Sequence, residues 1–188
     1  TKEIIIILQK EHRLWHIIID RRIKKLLEFV PMGKKILDVG CKTGEVSNLI
    51  ANRGNEVVGV DIVPEFIEIA RKNYPNIRFI ANDVMELEFK EEFDMIVVGG
   101  VLEFVIDPIG LLKHLREFLR IGGQILISVP NGVSIKRRIK CLFGNNPESG
   151  YDVLHIFTKK ELKDYLIRAS FEVVKLTSDK SIFMGKFY

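Results

Sequence analysis

From Lys35 onward the chain alternates short apolar runs with helical stretches, and no other feature constrains its fold as tightly. KILDVG, EVVGVD, NIRFIAND, FDMIVVGG and GQILISVP read as five strands. Between them, residues 45–53, 64–73 and about 108–120 carry helical spacing. Gly54 closes the first of these and Gly122 with Gly123 the last, while Pro64 opens the second and Pro108 the third. MIVV and ILI are apolar at every position, as in parallel strands covered on both faces. Such strands in β-α-β-α order predict a doubly wound parallel sheet.

The two ends complete this picture. Leu8, Trp15, Ile18, Ile19, Ile23, Leu26, Leu27 and Val30 recur at helical spacing before Pro31 and Gly33, so residues 1–33 are expected as an N-terminal helical cap. Residues 131–157 break the rhythm with Gly, Asn, Pro and Ser around a basic segment, and are expected as a flap. Its middle, SIKRRIKCLF, suits a short amphipathic helix with Ile135, Ile139 and Leu142 facing inward. Thr158 then caps a helix to about Ala169, with Glu161 at the capping-box position. FEVVKL and SIFMGKFY follow as antiparallel strands joined by a polar turn at Ser178 to Lys180. The whole reads as one α/β domain over residues 1–188. Its expected form is a Rossmann-like, doubly wound, mostly parallel seven-stranded sheet with a terminal antiparallel hairpin and N-terminal helices.

Composition narrows the class of protein. With 188 residues, 47% hydrophobic and 29% charged, the chain has the makings of one globular core. Its net charge is +4, with basic groups at Arg21, Arg22, Lys24 and Lys25, at Lys34 and Lys35, and at Lys136, Arg137, Arg138 and Lys140. Solvated helix faces account for such groups, which would also suit phosphates or an acidic membrane surface. Cys41 and Cys141 form neither a disulfide framework nor a zinc ribbon and suit a reducing cytoplasm. The apolar run near residue 5 is broken by Glu11, His12 and Arg13, too soon to span a bilayer. It also lacks the pattern of a cleaved leader. A cytoplasmic protein without a membrane span is expected. His12 and His16 are spaced i, i+4, yet no third ligand accompanies them, so no metal site is expected.

In open α/β sheets, ligands bind beyond the carboxyl ends of the strands. There, strand one presents Asp38, Gly40 and Gly44, strand two Asp61, strand three Asp83, and strand four Gly99 and Gly100. Glycine lets backbone approach a ligand closely. Asp61, about 20 residues past the turn, stands where an acid takes the hydroxyls of a ribose. Asp83 suits an exocyclic amine such as that of adenine. A nucleoside is implied. NAD fits poorly, because a G-x-G-x-x-G pattern from Gly40 meets Lys42 and Glu45, and the P-loop spacing is absent around Lys42 and Thr43. Asp38 would repel phosphate but suits an ammonium group. With no core partner in view, Asp61 is expected to matter to the ligand and little to stability.

LDVGCKTG, VVGVDIVPEFIEIARKN, FIANDV, FDMIVVGGVLEFVIDP and IGGQILISVPN together resemble, in order, the motifs of class I S-adenosylmethionine-dependent methyltransferases. HIFTKKELKDYLIRASFEVV is similar to the closing segment of the small-molecule branch of that family. The resemblance implies S-adenosyl-L-methionine as cofactor. It places Asp38, Gly40 and Gly44 around the methionine part and Asp61 on the ribose. Asp83 and Val84 fall to the adenine, with Ile62 on the adenine face and Gly99 near the sulfonium. Cys41 and Lys42 line the same turn, Cys41 as a small packing residue and Lys42 either near the cofactor carboxylate or facing solvent. The family usually has glycine where Lys42 stands. Many relatives also follow the glutamate matching Glu103 with histidine, where this chain has Phe104.

Glu103, Phe104 and His155 are the candidates for the acceptor side, and no catalytic side chain is singled out. In-line methyl transfer from a sulfonium needs mainly proximity and orientation. The expected activity is transfer to a small-molecule acceptor. The basic 136–140 segment motivates an RNA or protein methyltransferase as the alternative, against which stands the lack of an NPPY-type motif after strand four. A non-catalytic S-adenosylmethionine-binding protein is the third reading. The oligomeric state is left open.

Overall fold

A computed structural model describes residues 23–133, 135–144, 153–176 and 182–187. The chain divides into two compact units, residues 1–30 and 31–188. In the first, residues 23–30 are described: a short helix, α1, over residues 23–27 and the turn after it, with Lys25 and Glu28 paired at 2.7 Å. Residues 1–22 of the expected helical cap, His12 and His16 among them, lie outside the described residues.

The second unit is built on a seven-stranded sheet. Its strands are β1 (Lys35–Val39), β2 (Glu56–Asp61), β3 (Arg78–Ala81), β4 (Phe93–Gly99), β5 (Leu119–Ser128), β6 (Glu172–Leu176) and β7 (Ile182–Lys186), in the spatial order β3-β2-β1-β4-β5-β7-β6. The first five run parallel; β7 is antiparallel to both β5 and β6. This is the expected doubly wound sheet with its terminal antiparallel pair. The helices α2 (Glu45–Ala51), α3 (Pro64–Asn73), α4 (Pro108–Glu117), α5 (Ile135–Leu142) and α6 (Lys159–Arg168) complete the unit.

Side chains alternate across the strands, and each face of the sheet has its own core. Leu37, Val39, Val58, Val60, Ile96 and Val98 enter the larger cluster, with Leu111, Leu112 and Leu115 of α4 and Leu162 and Leu166 of α6. In a second, smaller cluster, Phe79 of β3 and Cys41 of the turn after β1 pack with Ile67 and Ala70 of α3. Caps fix where helices begin. The Asp107 carboxylate accepts from the Gly110 amide at 2.9 Å. Thr158 and Glu161 form the expected capping box at 3.2 and 2.8 Å.

Three local expectations differ from the structure. α2 ends at Ala51, two residues early, in a turn closed by the Gly54 amide on the Ala51 carbonyl at φ +82°. α4 ends at Glu117, and β5 begins at Leu119, ahead of the glycine pair. Here pairing overrides the glycine stop signal: Leu119 aligns with Phe93, and the register shifts before Gln124 meets Met95. Gly122 and Gly123 bridge that shift while exchanging hydrogen bonds with Phe187.

The third difference concerns the flap. α5 forms where expected, but Ile139 and Leu142 face solvent, at 48% and 83% exposure. Val129 and Phe157 already close the core edge beside it, and the Gly132 amide is tied to the Phe157 carbonyl. Residues 145–152 of the flap, and the turn at Ser178 to Lys180, lie outside the described residues.

Gly59 sits between Asp38 of β1 and Phe79 of β3. A Cβ there would lie 2.6 Å from the Phe79 ring and 2.9 Å from the Cys41 sulfur. Overpacking of this kind costs ~1–3 kcal/mol. Gly59→Ala is therefore expected to lower the urea midpoint. The loss should shrink when measured in a Phe79→Leu background.

Candidate functional site

The turn from β1 into α2 is shaped by three left-handed residues. Gly40, Lys42 and Gly44 have φ of +75°, +48° and +86°. A Cβ at Gly40 would strike the Val101 side chain, and one at Gly44 would lie 2.8 Å from Phe79. The left-handed backbone at Lys42 explains why glycine is favoured at that position. The Gly40 and Cys41 amides both donate to the Val60 carbonyl, at 2.8 and 3.0 Å, which holds the turn against the end of β2.

Asp61 locks that arrangement. Its Oδ2 accepts from the Lys42 amide at 2.9 Å and its Oδ1 from the Val63 amide at 3.0 Å. The carboxylate is thus a joint between two loops, contrary to the expectation that it matters little to stability. Each oxygen keeps a second lone pair for a ligand hydroxyl. Asp38, buried at the end of β1, accepts from the Ser47 hydroxyl of α2 at 2.6 Å. Sequence reading missed Ser47. Its only signal is its place two residues inside α2, on the helix face turned to β1.

Beyond β3, Asp83 caps a 3₁₀ turn over Val84–Glu86, its Oδ1 accepting from the Met85 amide at 2.9 Å and its Oδ2 left for a ligand. Val84 is buried, and its carbonyl is met by His114 Nε2 at 3.0 Å and by the Leu87 amide at 3.4 Å. Ile62 stands 64% exposed between Asp61 and Val63. Gly99 ends β4 opposite Ser128, with open space where a side chain would be. Ser128 is buried with its hydroxyl unpartnered, another polar group that sequence reading missed.

Cys41 takes the small packing role expected of it. Its sulfur packs in the smaller core, and burial beside Asp38 and Asp61 pushes the thiol up, away from reactivity. Its amide is committed to Val60, so it supports the turn from beneath. Burial also raises the Asp38 carboxyl to about 6, with the Asp61 charge adding to the rise and the Ser47 hydrogen bond opposing it.

On the acceptor side, Glu103 is buried, and its carbonyl accepts from the Leu154 and His155 amides at 2.8 and 3.1 Å. The segment before α6 therefore returns over the loop after β4, as the sequence implied. His155 stacks on Phe157 at 5.8 Å between centroids, with its Nε2 buried and unpartnered. Phe104 is about half exposed. Among the described residues, no three His, Cys, Asp or Glu side chains are grouped to hold a metal ion. Nor is any described helix long and apolar enough to cross a membrane.

Residues 11–176 match the family model described as a methyltransferase domain. The chain belongs to that family. Two curated relatives are similar to this methyltransferase domain. A ubiquinone biosynthesis O-methyltransferase of Stutzerimonas stutzeri is 29% identical over 65% of the chain. A malonyl-[acyl-carrier protein] O-methyltransferase of Ilyobacter polytropus is 29% identical over 87% of it. The chain spans 56% and 62% of their respective lengths. A solved S-adenosylmethionine-dependent methyltransferase from Thermotoga maritima, a possible histamine N-methyltransferase, shares the fold with a TM-score of 0.76. It is 21% identical, and the likeness covers 95% of this chain and 96% of that one. The family resemblance read from the motifs therefore holds, and so does the fold it implied.

Asp38 in this methyltransferase domain predicts a pH effect. Its folded pKa of about 6 lies above the ordinary 3.8, so the folded chain holds the proton more tightly than the unfolded one. Its contribution to stability is present below about pH 4, falls as pH rises through 6, and is lost above that, by on the order of 2–3 kcal/mol. Asp38→Asn keeps an oxygen for Ser47 and removes the buried charge. Ligand-free melting should be higher for Asp38→Asn than for the parent at pH 8, with the two converging near pH 4. Equal melting at pH 8 would contradict the assignment.

Proposed function

We propose that this chain transfers the methyl group of S-adenosyl-L-methionine to a small-molecule acceptor by in-line displacement. The observation that carries the reading is the Asp61 carboxylate. It is fixed by the Lys42 and Val63 amides, with lone pairs to spare, beside a turn shaped for close backbone approach. An acid so held suits a pair of ribose hydroxyls.

The remaining residues fit the same ligand. The free Oδ2 of Asp83 suits the adenine amine, exposed Ile62 an adenine face, and the bare end of β4 at Gly99 the room needed near a sulfonium. Asp38 supplies negative potential toward an ammonium group, whose charge would also favour its ionised form. When bound, S-adenosylmethionine supplies a methyl carbon already activated by the positive sulfur. The chain's share is then positioning and exclusion of water, for which proximity alone is worth ~7–11 kcal/mol. Glu103, Phe104 and His155 stand on the side where the acceptor would enter. The O-methyltransferase relatives support an oxygen as the accepting atom. The free thiols of Cys41 and Cys141 support a cytoplasmic setting.

Methyl-labelled S-adenosylmethionine incubated with the protein and a metabolite extract is the test. Label is expected in small molecules; label confined to precipitated protein or RNA would overturn the small-molecule reading. Asp61→Ala should weaken S-adenosylhomocysteine binding roughly tenfold to several hundredfold by calorimetry, since hydrogen bonds to a charged group are worth about 1.5–3 kcal/mol each. It should also lower the melting temperature, because two loop amides lose their acceptor.

A further inference from the structure

Ile139 and Leu142 of α5 face the wrong way for a helix serving the core. Ile135, Ile139 and Leu142 fall at i, i+4 and i+7, the spacing of one helix face. A helix of a globular protein turns such a stripe inward. Here Ile139 is 48% exposed and Leu142 83%, and Phe143 extends the apolar surface at 78%. Around this surface the sequence places Lys136, Arg137, Arg138 and Lys140, with no acid anywhere from Asn131 to Pro147. A groove of about 550 Å³ runs between α5 and the loop at Gly132 and Val133, lined on the helix by Arg137, Arg138, Cys141 and Leu142.

We infer that α5 docks the chain on an anionic lipid surface, lying in the plane of the membrane. Charge and apolar surface select this partner together. Phosphate headgroups match the cations, while exposed Ile139, Leu142 and Phe143 match the acyl boundary just beneath them. At eight residues, α5 spans about 12 Å, enough to lie in the interface and too short to cross it. A nucleic acid would satisfy the cations but give the aliphatic side chains nothing to bury in. A second copy joined across this face would set the two cation groups against each other, since a two-fold contact pairs like with like.

The test uses the full chain and needs no cofactor, so its failure would leave the proposed methyl transfer untouched. Flotation with vesicles of phosphatidylcholine containing phosphatidylglycerol should recover the protein, at roughly tenfold or greater apparent affinity than phosphatidylcholine alone. Leu142→Asp with Phe143→Asp, and separately Lys136→Gln with Arg138→Gln and Lys140→Gln, should each abolish that preference. Both changes lie on one surface helix, and unchanged melting would show that the body remains folded.

Cys141 is exposed on α5 while Cys41 is buried. With Cys141→Ser and Ile139→Cys, an environment-sensitive fluorophore attached at position 139 should therefore blue-shift on mixing with the anionic vesicles. Several results would overturn the inference: no recovery with vesicles, equal recovery with both lipids, or full binding by either variant. So would salt-sensitive binding to tRNA in place of vesicles, or self-association that the Leu142 variant removes.

Discussion

The carboxylate of Asp61 holds two loops in one place, and the ligand edge of the sheet depends on it. The Lys42 amide, in the left-handed turn after β1, and the Val63 amide, at the entry to α3, both donate to that carboxylate. With both donors satisfied, the turn after β1 and the entry to α3 become a single rigid rim. The neighbouring Asp38 draws α2 to the same rim through Ser47. Two carboxylates are thus brought close together in a buried setting. Burial above all, with the Asp61 charge adding to it, raises the Asp38 carboxyl, and a cationic ligand would favour its ionised form.

Much of this was legible in the sequence because parallel topology converts position in a motif into position in space. Asp38, Asp61 and Asp83 each close an apolar run, and adjacent parallel strands bring such ends to one edge. The pairings that bind the edge together were not legible. Nothing in a lysine announces a positive φ, so the Lys42 amide and its Asp61 partner emerge only from the folded turn. Cys41, read from the sequence as a small packing residue, does pack, with its sulfur in the smaller core.

The errors elsewhere share a cause. Periodicity says which residues of α5 share a stripe but not which way the stripe faces, and Ile139 and Leu142 turn out exposed. The glycine pair after α4 reads locally as a helix stop. Pairing of Leu119 with Phe93 and of Phe187 with both glycines draws it into β5 instead. There the deciding contacts come from distant parts of the chain.

The central claim is that three acids at adjacent strand ends hold one nucleoside ligand. A crystal structure of the chain with S-adenosylhomocysteine measures this most directly. The account predicts the ribose hydroxyls at hydrogen-bonding distance, about 2.5–3.0 Å, from the Asp61 carboxylate, with the adenine amine on Asp83. The Lys42 and Val63 amides should remain on Asp61. A ligand seated elsewhere, or one that leaves Asp61 and Asp83 untouched, would contradict it.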